Sequence, residues 1–124
     1  MIARIWHGWT TPGNADPYEA HLRDVVLPGI EERIDGFRGV YLLGREAGDE
    51  VEFVTVTLWD SLDAVREFAG EDYEVAVVPE EARRLLTRFD ERSAHYETLL
   101  EPSCASTGPQ PPGGGSAVSA ASFQ

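Results

Sequence analysis

Residues 51–68, VEFVTVTLWDSLDAVREF, place a buried strand directly before an amphipathic helix. β-Branched and aromatic residues fill the first half of this segment, and they fit a pleated surface. Neighbouring side chains of a strand point to opposite faces. One predicted face carries Phe53, Thr55, Thr57 and Trp59, and the other carries Val54, Val56 and Leu58. Both faces are largely apolar, which predicts that helices cover one and a second sheet or subunit covers the other.

The helix that follows has a clear start signal. Ser61 is a suitable N-cap, because its hydroxyl can accept from a free backbone N–H of the first turn. Asp63 lies in that turn, where the helix dipole favours negative charge. Apolar residues then recur at helical spacing at Leu62, Val65, Phe68 and Ala69. The segment therefore predicts a strand that ends at Trp59 and turns directly into a helix.

The charge composition excludes several classes of protein. The 124 residues carry a net charge of −12, and all 10 basic residues are arginine. The absence of lysine rules out lysine Schiff-base chemistry, and so acidic a chain is unsuited to nucleic acid or to an anionic membrane. The single Cys104 cannot form an internal disulfide, which predicts a cytoplasmic protein.

Five further elements are predicted along the chain. Residues 2–9 and 37–45 alternate as strands, and Gly48 and Asp49 predict a hairpin between the second strand and the central one. A helix is predicted to start at Asp16, with Pro17 in its first position and a kink at Pro28. Its apolar stripe comprises Tyr18, Leu22, Val25, Val26, Ile30 and Ile34. A short helix over residues 80–88 and a last strand over residues 93–100, with His95 and Tyr96 on opposite faces, complete the pattern.

The composition changes at Pro102. Residues 102–124 contain no charged side chain and consist mainly of Pro, Gly, Ser and Ala. Such a segment buries too little apolar surface to offset its ordering entropy, so a disordered tail is predicted. The folded domain is therefore expected to span residues 1–101.

The predicted order of elements is strand, helix, strand, strand, helix, strand. This order defines an α+β fold, the ferredoxin-like βαββαβ arrangement with an antiparallel sheet. Both helices lie on one face of such a sheet, which leaves Val54, Val56 and Leu58 on the open face. An exposed apolar patch of this kind usually marks an interface. The sequence therefore predicts a homodimer formed through the open sheet face, a dimeric α+β barrel.

Several short motifs resemble the antibiotic biosynthesis monooxygenase family. They are residues 26–29 (VLPG), 36–41 (GFRGVY), 59–64 (WDSLDA), 68–73 (FAGEDY) and 90–97 (DERSAHYE). The resemblance covers residues 1 to about 100. It implies a dimeric α+β barrel with a pocket between the sheet and the helices of each subunit. It also implies a cofactor-independent monooxygenase that acts on an aromatic, polyketide-like or enolisable small molecule.

Such an oxygenase needs an apolar pocket, a base or acceptor near the acidic proton and donors for the oxyanion. The resemblance makes three residues candidates for catalysis, namely His7, Trp59 and Tyr73. His7 would be the base, because its pKa suits neutral pH. Trp59 would shape the pocket wall and Tyr73 would donate a hydrogen bond. The alternatives are a packed strand histidine, a core tryptophan and an ordinary aromatic at a helix end.

Further candidates would bind the substrate. They are His21 beside the apolar stripe of the first helix, Phe53, Thr55 and Thr57 on the central strand, Phe68 on the second helix, and Arg84. Arg84 could hold a substrate oxyanion, although pairing with Glu80 or Glu81 is the simpler expectation. The three histidines show no paired spacing, so no metal site is predicted.

Two other functions stay open. The haem-degrading branch of the family carries an iron-ligating histidine near the position of Tyr73, and residues 68–78 contain no histidine. Tyrosine can ligate ferric haem, so haem is the alternative to a cofactor-free enzyme. A cyclase or isomerase, or a non-enzymatic ligand-binding or accessory dimer, could use the same scaffold.

Overall fold

A computed structural model describes residues 1–101, and the predicted tail from Pro102 onward lies outside the described residues. Five strands and four α-helices make up this part of the chain. The strands are β1 (Ile2–Thr10), β2 (Phe37–Ala47), β3 (Glu50–Trp59), β4 (Leu86–Phe89) and β5 (Ala94–Glu97). The helices are α1 (Pro12–His21), α2 (Leu27–Arg33), α3 (Leu62–Ala69) and α4 (Glu80–Leu85), with a π-helical turn (Leu22–Val26) between α1 and α2.

The strands form one antiparallel sheet in the order β2-β3-β1-β4, and β5 also pairs with β1. Its long central strands β1 and β3 pair from Ile2 opposite Trp59 to Thr10 opposite Val51. The helices pack against one face. This arrangement confirms the predicted ferredoxin-like α+β fold.

The hairpin between β2 and β3 follows the turn chemistry of its sequence. Ala47 pairs with Glu50, so Gly48 and Asp49 form the loop. Gly48 has a φ of +69°, a left-handed conformation that costs glycine little. At the other end of β3, the Ser61 hydroxyl accepts a hydrogen bond from the Ala64 N–H at 3.2 Å, which confirms the predicted N-cap.

The first helix begins earlier than the sequence predicts. Thr11 is its N-cap, with its hydroxyl 3.2 Å from the Asn14 N–H, and Pro12 occupies the first turn. The predicted start at Asp16 is therefore wrong, because two cap-and-proline signals lie close together and the earlier one is used. Before Pro28 the chain widens into the π-helical turn, in which the Leu27 N–H donates to the Leu22 carbonyl.

The helix and strands after residue 80 also differ from the prediction. The fourth helix ends at Leu85, and residues predicted as helix form β4, which pairs with the end of β1. The strand predicted over residues 93–100 is shorter and pairs as β5 with the beginning of β1. His95 lies opposite Arg4 and Tyr96 opposite Ala3, so they face opposite sides as expected.

Two clusters of apolar side chains fill the space between the sheet and the helices. The first contains Ile30, Ile34, Trp59, Ala64 and Val65, and the second contains Tyr18, Leu22, Phe53 and Ala82. Trp59 is fully buried, and its ring lies 5.1 Å from that of Phe37 and 5.2 Å from that of Phe68. The face of β3 that carries Trp59 is therefore the helix-covered face.

Within residues 1–101, no helix covers the opposite face of the sheet. Val54, Val56 and Leu58 are half-buried on it, and Tyr41 and Leu43, paired with Val56 and Val54, are 54% and 50% exposed. We call the surface formed by these five residues the open face.

Candidate active site

A cavity of about 70 Å³ lies between the helix-covered face of the sheet and the helices. Most of its lining is apolar, from α1, the π-helical turn, α2, α3 and the segment before α4. The lining residues are Arg4, Trp6, Tyr18, Leu22, Val26, Leu27, Ile30, Thr55, Thr57, Phe68, Val77, Val78, Pro79, Ala82 and Ser93. A wider depression of about 330 Å³ lies beside β2, but its lining includes no buried ionisable group. The smaller cavity is therefore the candidate site.

Arg4 is the buried charge of this cavity, with a side chain on the helix-covered face of β1 and a residue exposure of 4%. Its guanidinium donates to the carbonyl of Tyr73 and, at 3.2 Å, to that of Val75. It also lies 5.5 Å from the centre of the Phe68 ring. Within residues 1–101 no carboxylate forms an ion pair with Arg4. Burial lowers the pKa of Arg4 to about 10, which leaves the side chain charged at neutral pH.

His95 is a neutral partner of this arginine. Its Nε2 lies 3.0 Å from Nη1 of Arg4, and since a guanidinium only donates, Nε2 accepts and the ring proton lies on Nδ1. Burial, and then the charge of Arg4, lower the pKa of His95. A nearby carboxylate, Glu74, faces Arg92 at 3.7 Å. The positive charge of Arg4 is therefore shared with dipoles and is not neutralised by an acid.

Hydroxyl groups supply the other polar atoms of the cavity. Ser93 is 5% exposed, and its Oγ has no hydrogen-bond partner among the described residues. Thr57 Oγ1 accepts from the Trp59 indole N–H at 2.9 Å. Burial raises the pKa of Tyr18, so this phenol stays neutral. The site thus combines one buried cation, an unsatisfied hydroxyl and apolar walls.

Three of the predicted substrate-binding residues, Thr55, Thr57 and Phe68, line this cavity. Phe53 does not, because its ring packs in the core at 5.0 Å from Tyr18. Trp59, which was predicted on the pocket wall, is not among the residues that line this cavity; its fully buried ring donates its N–H to Thr57, which does line it. Trp59 supports the site from the core.

His7 lies on the opposite face of the sheet from the cavity. It pairs with Val54, and its Nδ1 lies 2.8 Å from Glu52 Oε2, while Arg45 donates to the other oxygen of Glu52 at 2.7 Å. His7 and Trp59 therefore do not line one pocket, contrary to expectation. The physical reason is strand alternation, because odd residues of β1 face away from the helices.

The remaining candidates lie outside the cavity lining. Tyr73 is half-buried, and its ring packs edge-on against His95 at 5.0 Å. His21 has a buried Nε2 that lies 3.9 Å from Glu81. Arg84 is exposed and pairs with Glu80 at 3.1 Å, which is the simpler of the two expectations for it.

Arg4, Trp6 and Ser93 line the cavity but were not predicted from the sequence. Arg4 and Trp6 point to the same face of β1 as Ile2, which is the helix-covered face. An arginine at such a position was the signal in the sequence that could have predicted its place in the site. Trp6 donates its indole N–H to the Asp90 carbonyl at 2.7 Å, which holds its ring at the cavity. No local pattern marks Ser93, because it lies between two short strands whose pairing is set by β1.

The ion cluster of Glu52 predicts an acid-dependent loss of stability. Hydrogen bonds from His7 and then Arg45 hold the pKa of Glu52 below its ordinary value. The unfolded carboxyl titrates at about 4.3, so this stabilisation is complete above that pH and is lost as the pH falls through the lower folded pKa. We expect Glu52→Gln to flatten the acid limb of the unfolding free energy. Urea unfolding between about pH 3 and pH 6 checks this.

The exposed Glu32 provides the control for that experiment. Glu32→Gln should leave the pH dependence of the wild type unchanged, because Glu32 forms no ion pair within residues 1–101. An acid limb of equal slope in Glu52→Gln and the wild type would contradict the role given to Glu52.

Residues 1–101 contain no cluster of three or more His, Cys, Asp or Glu side chains arranged to hold a metal ion. No helix of this region is long and apolar enough to cross a membrane. The fold and the site together define a ferredoxin-like α+β protein with a small apolar ligand cavity and one buried cation.

The sequence matches the family model described as antibiotic biosynthesis monooxygenase over residues 1–78. The chain therefore belongs to the antibiotic biosynthesis monooxygenase family, as its motifs indicated. No curated protein matches the sequence significantly.

Solved structures with a similar fold agree with this assignment. Rv0793 from Mycobacterium tuberculosis is 23% identical, with a TM-score of 0.56 over 82% of this chain and 98% of that one. A putative antibiotic biosynthesis monooxygenase from Bacillus cereus is 16% identical, with a TM-score of 0.58 over 82% and 94%. The heme-degrader MhuD from Mycobacterium tuberculosis is 23% identical, with a TM-score of 0.50 over 82% and 98%. These similarities concern the fold.

Proposed function

We propose that this protein is a cofactor-independent monooxygenase that binds a small enolisable or aromatic molecule as its anion beside Arg4. The observation that carries this proposal is a buried guanidinium without a carboxylate partner in an otherwise apolar cavity. A buried charge that lacks an ionic partner is unfavourable, so an anionic ligand gains from occupying the site. Family membership supports oxygenase chemistry.

The chemistry needs no external reductant. Loss of a proton from a substrate CH₂ group gives an enolate or phenolate, which passes an electron to dioxygen. One oxygen atom ends in a new C=O group, and the other leaves as water with the two hydrogens of that CH₂ group. The substrate supplies all four electrons. Arg4 favours the anion by charge and hydrogen bonding, which lowers the substrate pKa.

No carboxylate or imidazole lines the cavity within residues 1–101. We therefore propose that Arg4 makes the substrate more acidic and that solvent accepts the proton of the substrate. His7, on the other face of the sheet, is not part of this mechanism. The Thr57 side chain lines the cavity next to the ligand, and the hydrogen bond that it accepts from the Trp59 N–H holds it in place.

Oxygen dependence tests this function. With an enolisable substrate, we expect turnover to stop in anaerobic buffer and to return when air is admitted, because dioxygen is the co-substrate. Dialysis against a chelator should leave the rate unchanged. An oxygen electrode and product analysis measure both effects. Turnover without oxygen would instead indicate a cyclase or isomerase, and saturable binding without oxygen uptake would indicate an accessory ligand-binding protein.

Haem breakdown is the alternative suggested by the likeness to MhuD, and the described residues do not fit haem. A volume of about 70 Å³ admits only a small molecule, and it is far below the ~300 Å³ or more of pockets that enclose drug-sized ligands, which are no larger than haem. No histidine within residues 1–101 lines the cavity, and the ring of Tyr73 packs against His95 and Arg66, whose guanidinium lies 5.3 Å from the ring centre. Titration with hemin should therefore give no shifted Soret band, and a saturable shift would reverse this assignment.

We further propose that two copies pair through their open faces. Tyr41 and Leu43 expose apolar surface there, and pairing would bury roughly 1,600 Å² in total. We expect a dimer at micromolar concentration, and Leu43→Arg should convert it to a monomer by placing an unpaired charge in the interface. Native mass spectrometry measures this.

Val25→Arg is the matched control for the dimer. Val25 is 56% exposed, against 50% for Leu43, but it lies in the π-helical turn on the helix side of the sheet. The Val25→Arg variant should therefore leave the dimer intact. A wild-type monomer, or a dimer in Leu43→Arg, would contradict pairing through the open face.

A further inference from the structure

The guanidinium of Arg4 retains unused hydrogen-bonding capacity. A guanidinium has five N–H donors in one plane. Nη1 uses its donors on the Tyr73 carbonyl and His95, and Nη2 uses one on the Val75 carbonyl. Among the hydrogen bonds within residues 1–101, this leaves one N–H on Nη2 and the neighbouring N–H on Nε. Nε and Nη2 form one edge of the guanidinium, and such an edge matches an anion with two oxygens side by side in one plane.

Ser93 supplies an independent indication of a ligand oxygen. Its hydroxyl is buried at the cavity and has no partner among the described residues, which is unusual because buried polar groups are nearly always hydrogen-bonded. A ligand oxygen in the cavity would satisfy this group. The hydroxyl and the guanidinium edge together offer three donors to a ligand that is otherwise surrounded by apolar side chains.

We propose that the ligand class of this site is the enolate of a small 1,3-dicarbonyl compound, held by both oxygens on Arg4 and assisted by Ser93. This inference rests on the proposed function, whose substrate class it specifies. A 1,3-dicarbonyl enolate is planar, shares its charge between two oxygens that lie side by side in its U-shaped conformer, and has an apolar periphery. These properties match the two-donor edge and the apolar walls.

Among the described residues, no carboxylate or imidazole lines the cavity to act as a general base, and this narrows the class of ligand further. A simple ketone is too weak an acid to lose its proton to solvent, even with help from one cation. The central CH₂ of a 1,3-dicarbonyl is much more acidic, since its anion is delocalised over both oxygens. On binding, a C–H bond breaks, the proton passes to solvent and the electron pair stays on the ligand.

The size of the cavity favours a ligand of few atoms. A single water needs about 10–15 Å³ of such space, so about 70 Å³ holds a small acyclic molecule and not a polycyclic one. Trp6 limits this volume, because its ring is held by the hydrogen bond to Asp90 and packs 5.9 Å from Phe89. A compound of the size of acetylacetone is therefore the appropriate probe.

Anaerobic titration with acetylacetone tests this inference, because no turnover can occur. Enolate absorbance should rise saturably on addition of protein, with at least a tenfold larger enolate fraction than in buffer at the same pH. The control ligand is 3,3-dimethylpentane-2,4-dione, which has the same two carbonyls but no acidic central proton, and it should not bind. Acetate should compete at least tenfold more weakly than acetylacetone.

Protein variants test the contributions of Arg4 and Ser93 to binding separately. Arg4→Met should weaken acetylacetone binding at least tenfold, and Ser93→Ala, which leaves the contacts of Arg4 in place, should weaken it about threefold. The exposed Arg33 is the control, and Arg33→Met should bind like the wild type. Equal binding by Ser93→Ala and the wild type, equal binding of both diketones, or stronger binding of acetate would overturn the inference.

The ligand class and the monooxygenase function can be refuted separately, because the binding assay and the oxygenase assay can give opposite results. Enolate binding without oxygen uptake in air would leave this ligand class standing and remove the monooxygenase function. Oxygen uptake with another enolisable substrate, without acetylacetone binding, would leave the function standing and remove this ligand class.

Discussion

Arg4→Met is expected to lower kcat/KM for an oxygen-dependent substrate by about 100-fold or more, the effect of removing a preorganised oxyanion donor. Methionine preserves much of the length and apolar surface of the side chain but removes the charge and all N–H donors. The substrate then no longer ionises readily in the cavity, so the chemical step slows. Initial rates of oxygen consumption, measured over a range of substrate concentrations, separate kcat from KM.

Two variants support the interpretation of that loss. Arg4→Lys retains a positive charge but lacks the planar fork, so we expect activity between that of the wild type and Arg4→Met. Arg33→Met removes an exposed arginine and should keep the wild-type rate. Circular dichroism and Tm show whether Arg4→Met is folded. A folded Arg4→Met with wild-type activity would refute the role of Arg4.

Trp59→Ala is expected to destabilise the domain by about 3–5 kcal/mol, the usual cost of truncating a buried large aromatic residue. The ring is fully buried between Phe37 and Phe68, and its removal opens a cavity at the centre of the first core cluster. A loss of this size is a large share of the ~5–15 kcal/mol that stabilises a typical domain. Urea unfolding monitored by circular dichroism measures it.

Trp59→Phe should retain most of the packing and cost less than Trp59→Ala. The remaining loss reflects a smaller ring and the missing hydrogen bond to Thr57, which is worth about 1 kcal/mol. Leu99→Ala provides the surface control, since Leu99 is 88% exposed and its truncation should change stability by less than about 0.5 kcal/mol. A cost below about 1 kcal/mol for Trp59→Ala would contradict its central place in the core.

Local chemistry in the sequence predicted much of the fold. The Ser61 cap, the Gly48 hairpin and the alternation of β3 each depend on residues close together in the chain, so their outcome follows from short-range geometry. The start of α1 was misjudged because Thr11-Pro12 and Asp16-Pro17 are equivalent signals locally. Residues 86–89 became a strand because the end of β1 supplied a pairing partner, which no local pattern reveals.

The candidate site was predicted less well. Thr55, Thr57 and Phe68 line the cavity as expected, because the face of β3 and the stripe of α3 are periodic. His7 was assigned to the cavity although alternation places it with Val54, and Arg4 was overlooked although the same alternation places it with Trp6. Alternation in β1 places the buried arginine on the covered face, as alternation in β3 places Thr55 and Thr57 there.

Alternation and capping residues alone were sufficient to define β1, β2 and β3, the helix after Trp59 and the two faces of the sheet. Long-range contacts decided which residues form the site. Arg4 contacts the carbonyls of Tyr73 and Val75 and the ring of His95, which are 69, 71 and 91 residues away in the chain. The reason is physical: periodicity tells where a side chain points, whereas its charge environment depends on distant segments that only folding brings together.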